Sequence, residues 1–321
     1  MALTNMVVFN EYLKEATYET LGQMIDKFNG ASAGTILLAN QNFEGDFFER
    51  SMFSALHSSR RRVDRYATND AASATAISQF KYDAVKVAGG FGPILWEPSQ
   101  LSWIQSNEAE AIALVSQMLS EAILQDQLNT AIAALVAAIS NQTSATNDVS
   151  ATAGISYTAL NGAHAKFGDR SQSLVAQVMN GATYHKLVGD NLTNTPQLFQ
   201  QQNVTVVDIL GKPVIVTDAP ALYQAGTPNK AKVLSLVPGA ATIMDGSSVE
   251  TNIERSNGKQ RIEATFQADY DFAVQLNGYS WDTTNGGKSP TDAELATGSN
   301  WDLVMTDIKN TAGVITIGNA D

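Results

Sequence analysis

The chain has 321 residues, 44 % hydrophobic and 16 % charged, a globular composition long enough for one large domain or two ordinary ones. The absence of cysteine excludes disulfides, thiolate catalysis and cysteine-ligated zinc or iron–sulfur sites, and His57, His164 and His185 are too scattered for a zinc centre. A formal charge of −12 repels phosphate, so general nucleic-acid binding is disfavoured and any DNA contact has to be local.

The N-terminus has no basic flank before an apolar core, unlike a signal peptide. Leu13, Thr17, Leu21, Met24 and Phe28 recur at helical spacing, and Asn29-Gly30 is expected to stop that helix. From Phe47 to Trp96 the pattern changes to two long strands joined at the polar tip that begins at Thr68, with a basic cluster at Arg60, Arg61, Arg62 and Arg65. Within this stretch Gly89-Gly90-Phe91-Gly92-Pro93 is expected to break the strand.

A long helix is expected from Ser106-Asn107, with Asn107 and Glu110 at capping-box spacing. Ile112, Val115, Leu119 and Ile123 mark one apolar stripe, which Leu128, Ile132, Leu135 and Ile139 continue. At about 1.5 Å per residue it would be about 50 Å long, too long for the interior of one compact domain. Its apolar run from Leu128 to Ile139 falls short of the roughly 18 uninterrupted residues of a membrane helix, so no membrane contact is expected.

Residues 151 to 245 mix a helix at Tyr157–Phe167, an apolar run at Leu174–Met179, a helix at Ala182–Leu187 and a run at Lys232–Val237, an α+β pattern. Residues 206 to 220 read as a hairpin around Gly211-Lys212 that pairs Ile209 with Val214 and sends Asp208 and Asp218 to opposite faces, which favours scaffold over a carboxylate dyad. Residues 249 to 276 read as a hairpin turning at Asn257-Gly258, with Ile253 opposite Ile262, Glu254 opposite Arg261 and Val249 opposite Phe266. The last forty residues suggest a Gly-rich loop, a helix from Thr291 into Ile308, and a closing strand at Gly313–Ile317.

Few residues offer bond chemistry. Asp269 and Asp271 share one strand face, a pattern that can hold a divalent metal under a phosphate or sugar, but the solvated side of an amphipathic strand has the same spacing. No phosphate loop, dinucleotide fingerprint or serine elbow occurs, and no cofactor is implied. The arginine cluster fits a solvated strand edge, phosphate contact, or pairing with acidic surface on a second copy; the last is favoured, since aromatic interleaving is limited to Tyr66.

The order of elements, and the phrases GGFGPILWEPSQLSWIQ (89–105), VVDILGKPVIVTDAP (206–220), the hairpin of 249–276 and GSNWDLVMTDIKNTAGV (298–314), resemble the major capsid proteins of tailed bacteriophages, the Hong Kong 97-type fold. The resemblance implies an α+β subunit with an N-terminal arm (1–44), an extended loop (45–95), a peripheral domain with a spine helix (96–150), an axial domain (151–245), a peripheral β ribbon (246–279) and a return to the axial domain (280–321). It implies no catalysis, but self-assembly through hexamers and pentamers into an icosahedral shell around weakly contacted double-stranded DNA, in a virion assembled in the host cytoplasm. Any scaffolding activity would sit on a separate protein, because no long helical extension precedes the arm, and separate portal and decoration proteins are the other partners implied. The intersubunit contacts are expected at Arg60, Arg61, Arg62, Arg65, Glu254 and Arg261. The alternatives are a carbohydrate- or phosphate-acting enzyme using Asp269, Asp271 or Asp218, and a phage tail-tube or decoration protein.

Overall fold

The computed structural model describes residues 3–39, 47–53, 62, 65–66, 79–97, 108–194, 212–245, 249–256 and 263–320. Helix α1 (Leu3–Ala31) buries Leu13, Thr17, Leu21 and Ile25, each one helical turn apart, so the stripe follows a strict four-residue step and takes Ile25 in place of Met24. It runs through Asn29-Gly30 and stops at Ala31, and the turn that follows holds Ala33 and Gly34, both with positive φ. Asn29 acts instead as a clamp, its side chain accepting from Leu38 N at 3.0 Å and donating to Leu38 O at 2.8 Å, which fastens the following strand to the helix.

That strand is β1 (Ile36–Ala39), followed by β2 (Phe47–Phe53) and β3 (Gln79–Trp96). The two long strands pair antiparallel as expected, with Phe47 opposite Val85 and Phe53 opposite Gln79. The glycine stretch does not break β3, which continues to Trp96 with a register shift opposite Phe266–Ala268. The glycines serve close approach: a Cβ on Gly89 would lie 2.6 Å from the Tyr270 ring, and one on Gly90 would lie 2.6 Å from Asp269 Oδ1. Gly92, at φ 108°, turns the backbone at the shift, and Pro93 lies beyond the reach of β2, where a missing N–H breaks no ladder with it.

Helix α2 (Glu108–Ser140) has 33 residues, which at about 1.5 Å per residue gives the expected length of about 50 Å. Its expected cap at Asn107 lies outside the described residues. Leu119, Ile123, Ile132, Leu135 and Ile139 are buried on the predicted stripe, but from Ala131 onward burial extends round the whole helix. The helix is long and apolar enough to cross a membrane by composition, yet 61 % of its most apolar window is buried within the protein. It packs on α1, where Ser120 Oγ donates to Thr17 O at 3.1 Å, and reaches strands of both large sheets.

Strand β4 (Thr146–Asp148) is followed by α3 (Tyr157–Lys166), which starts where Ser156 accepts from Ala159 N. Next come β5 (Ala176–Met179), α4 (Gly181–Asn194), β6 (Val214–Val216), β7 (Tyr223–Gln224), β8 (Lys230–Leu236) and β9 (Ala241–Asp245). Strand β6 pairs parallel with β5; the partner strand expected across Gly211-Lys212, with Asp208, lies outside the described residues. Strands β10 (Glu250–Ser256) and β11 (Glu263–Leu276) form the expected ribbon in a different register. Ile253 faces Phe266, not Ile262, and Glu254 faces Thr265, not Arg261, so the strands are joined by a loop longer than the two-residue turn at Asn257-Gly258. The displacement is four residues, an even number, so every side chain keeps its predicted face.

Strand β12 (Tyr279–Trp281) is followed by α5 (Asp292–Leu295), β13 (Trp301–Leu303) and β14 (Gly313–Asn319). The helix expected from Thr291 into Ile308 is thus a single turn, closed by a Thr291–Glu294 capping box. Beyond it Trp301 is drawn into the core, where it pairs edge-on with Trp281 at 4.9 Å across the β12–β13 ladder. Burial of two indoles outweighs the helical propensity of the segment.

Among the described residues three sheets result. The first has the order β1-β9-β11-β3-β2 with β10 beside β11; the second has β4-β14-β8-β5-β6 with β7 beside β8; the third is β12-β13. In the second, His164 from α3 is 7 % exposed and shares a 3.0 Å hydrogen bond with Ser235 of β8. Burial, helped by the Lys212 charge, pushes its imidazole down to about 4. The folded chain therefore leaves this ring neutral while the unfolded chain protonates it below about 6.5, so stability falls as pH drops from 6.5 towards 4. Urea denaturation is expected to show a loss of about 2 kcal/mol from this group between pH 7 and pH 5, and His164→Gln should flatten that part of the profile.

Candidate assembly surfaces

The central strand of the first sheet is β11. Its Ala264, Phe266, Ala268, Tyr270, Phe272, Val274 and Leu276 are all buried, while Gln267 and Asp269 are exposed. On the buried face Tyr270 stacks with Phe91 at 5.4 Å and lies 6.2 Å from Phe272, and Phe266 stacks with Trp96 at 5.5 Å. Tyr270 then donates from its hydroxyl to Asp126 of α2 at 2.6 Å, tying the long helix to the ribbon. Burial raises both groups: the Asp126 carboxyl, despite the hydrogen bond that lowers it, and the Tyr270 phenol, which the neighbouring carboxylate raises further.

The outer part of this sheet offers edges. Strand β2 pairs only residues 79–85 of β3, and β10 ends the sheet beside β11, with no strand on its far side among the described residues. At the end of β3, Ile94 and Leu95 are 47 % and 42 % exposed, and on α2 so are Leu114 and Met118, at 49 % and 62 %. Open strand edges with apolar side chains beside them favour association with another chain.

Of the predicted contact residues, Arg62 and Arg65 are exposed, as is Tyr66; Arg60, Arg61 and Arg261 lie outside the described residues, and Glu254 is exposed on β10. The acidic candidates for chemistry have structural partners. Asp271 is ion-paired with Lys86 across the β11–β3 ladder, and Asp269 accepts from Gln267 at 3.1 Å. Asp218 accepts from Gly181 N at 3.2 Å at the start of α4. Among the described residues no group of three or more His, Asp or Glu could hold a metal ion.

Sequence reading missed Asp126, which shares α2 with Glu108, Glu110 and Glu121 and is set apart from them by no local pattern, and the hollow it opens into. About 450 Å³ in volume, this hollow is lined by Asp126, Ala133, Pro220, Ala221, Asp292 and Leu295 among others. Its walls come from three segments far apart in the chain, so no local motif records it.

A family model described as Gp13-like, major capsid protein 13-like, matches residues 5–315. No curated protein matches the chain. Among solved structures, the capsid asymmetric unit of cyanophage Pam1 is similar at a TM-score of 0.55 and 11 % identity, over 89 % of this chain and 88 % of that one. The capsid of Ralstonia phage GP4 is similar at a TM-score of 0.50 and 9 % identity, over 89 % and 87 %. At such identities the likeness is one of fold, held here by the joint of α2 with β11. Tyr270→Phe is expected to cost about 1–3 kcal/mol in urea denaturation at neutral pH, because Asp126 loses the hydrogen bond that stabilises its carboxylate. The Asp126 carboxyl, followed by NMR, should titrate higher still, and the destabilisation should shrink as pH falls through that raised range.

Proposed function

The chain belongs to the Gp13-like family of major capsid proteins, and from that premise we propose that its copies join as hexamers and pentamers into an icosahedral shell around double-stranded DNA. The observation that carries this reading is the family match over residues 5–315. The Hong Kong 97-like fold supports it, and so does the distribution of open edges in the first sheet. Its function is association, and the acidic residues that an enzyme would use are occupied within the subunit by Lys86, Gln267 and the start of α4.

In this arrangement residues 1–44 form the arm and 45–95 the loop that lies over a neighbour. Residues 96–150 and 246–279 form the peripheral domain, and 151–245 with 280–321 the axial domain. Arg60, Arg61, Arg62 and Arg65 pair with acidic surface of the next copy, and Glu254 and Arg261 add further contacts between copies. A shell wall built from chains of charge −12 holds DNA in weak contact only, because it repels phosphate. Scaffolding, portal and decoration are left to separate proteins, and assembly takes place in the host cytoplasm.

Expression of the chain alone and with its neighbouring genes, followed by negative-stain electron microscopy of the high-speed pellet, should show closed shells or capsomer rings; a monodisperse monomer under both conditions overturns the reading. Arg60→Glu combined with Arg62→Glu is expected to leave circular dichroism and thermal unfolding unchanged while abolishing shells. Normal shells from that double variant would remove the arginines from the interface.

A further inference from the structure

Along the C-terminal half of α2 the hollow beside Asp126 adjoins a second of about 420 Å³, the two sharing Ala133, Ala221 and Ala296. Together they make one groove, with the segment from Pro220 to Gln224 on one side and the segment from Asp292 to Gly298 on the other. The span of α2 from Asp126 to Ser140 measures about 21 Å at 1.5 Å per residue, room for about six residues of extended chain. Small side chains line its middle, so an incoming ring or methylene stem meets no obstruction.

The groove is charged at its ends. Asp126 and Asp292 line the first hollow, and the negative charge of Asp292 adds to burial in raising the Asp126 carboxyl. Among the described residues neither acid is in an ion pair. A guanidinium set between them would be attracted by both and would relieve their mutual repulsion, and arginine can bind a carboxylate through two parallel hydrogen bonds. Lys232, its ammonium lowered by burial, lines the far hollow.

The chain carries the complementary feature. Arg62 and Arg65 are exposed, and the adjacent Tyr66 is 92 % exposed, a combination of arginine and aromatic side chains typical of residues that anchor protein interfaces. We propose that the groove is the seat of the Arg62–Tyr66 stretch of a second copy, with Arg65 between Asp126 and Asp292 and the Tyr66 ring against Ala133, Ala221 and Leu295. Each copy carries both halves of this contact at different places, so the contact is head-to-tail, the type that closes rings. The assignment rests on the shell reading above and adds to it the acceptor for the arginines.

The lack of native cysteine makes a crosslinking test clean. Chains bearing Arg65→Cys and chains bearing Asp292→Cys are co-assembled, oxidised and run on a non-reducing gel, with linked peptides identified by mass spectrometry. The expected result is a disulfide between positions 65 and 292 in dimers from mixed shells, and no such dimer from shells of either variant alone. Intact mixed shells without that link overturn the assignment and leave the shell reading standing. So does an introduced thiol at position 292 that is shielded from maleimide yet never linked to position 65, which puts another segment in the groove. Charge reversal provides a second arm that does not depend on disulfide geometry: Asp292→Lys should lower shell yield at least tenfold with circular dichroism unchanged, and Arg65→Glu on the same chain should restore it. Normal yield from Asp292→Lys overturns the assignment. A wild-type chain that forms no shells sinks the shell reading itself, and the groove's occupant with it.

Discussion

A helix whose second half is apolar on every side has to be enclosed, and the rest of the subunit is arranged to enclose α2. The stripe of α1 covers one flank, the buried face of β11 another, and strand β14, the turn at Pro220–Leu222 and the segment around Gly298–Leu303 close the remainder. These pieces come from every part of the chain, so this single helix joins the two large sheets. A strongly polar bond in the joint, Tyr270 to Asp126, sits where the helix leaves full burial, a place where a carboxylate can still reach water.

The ribbon's shape follows from a size match between neighbouring strands. Aromatic rings on β11 need room, and β3 supplies it by omitting Cβ atoms at Gly89 and Gly90 opposite Tyr270 and Asp269. Large side chains there would push the strands apart and lift Phe266, Tyr270 and Phe272 off the helix. Among the described residues β2 pairs only residues 79–85 of β3, so that rigid interior packing and an edge without a described partner occur in the same strand. For a protein whose work is to associate with copies of itself, that pairing of a firm face with an unfilled edge is the functional arrangement.

Much of this was legible in the residues. The stripe Leu13–Thr17–Leu21, the two apolar stretches of α2, the alternation from Phe266 to Leu276 and the closing strand at Gly313 all appear as periodicity, because each has one buried face and solvent or a second layer behind it. Where two reasonable local rules competed, local reading failed. Asn29-Gly30 has the composition of a helix stop but acts as a clamp on Leu38; Gly89 to Pro93 has the composition of a turn but is a strand shaped by its neighbour's rings; Asn257-Gly258 has the composition of a tight turn, yet the ladder is displaced by four residues. The segment after Thr291 has helical spacing, and the Trp281–Trp301 contact overrules it.

The sequence by itself determined the class of the molecule. An acidic, cysteine-free chain with one very long apolar helix and two long ribbons reads as an assembling subunit before any contact is known, although the second half of that helix is enclosed within the subunit itself. Face periodicity was determined too, since a side chain's face depends only on backbone geometry and survives an even shift of register. Only the tertiary structure decided which residues meet: that Lys86 neutralises Asp271, that Asp218 holds the start of α4, and that Asp126, Asp292 and Ala221 line one groove. Such contacts join positions far apart in the chain, and their partners are selected by the packing of whole elements, which no local pattern encodes.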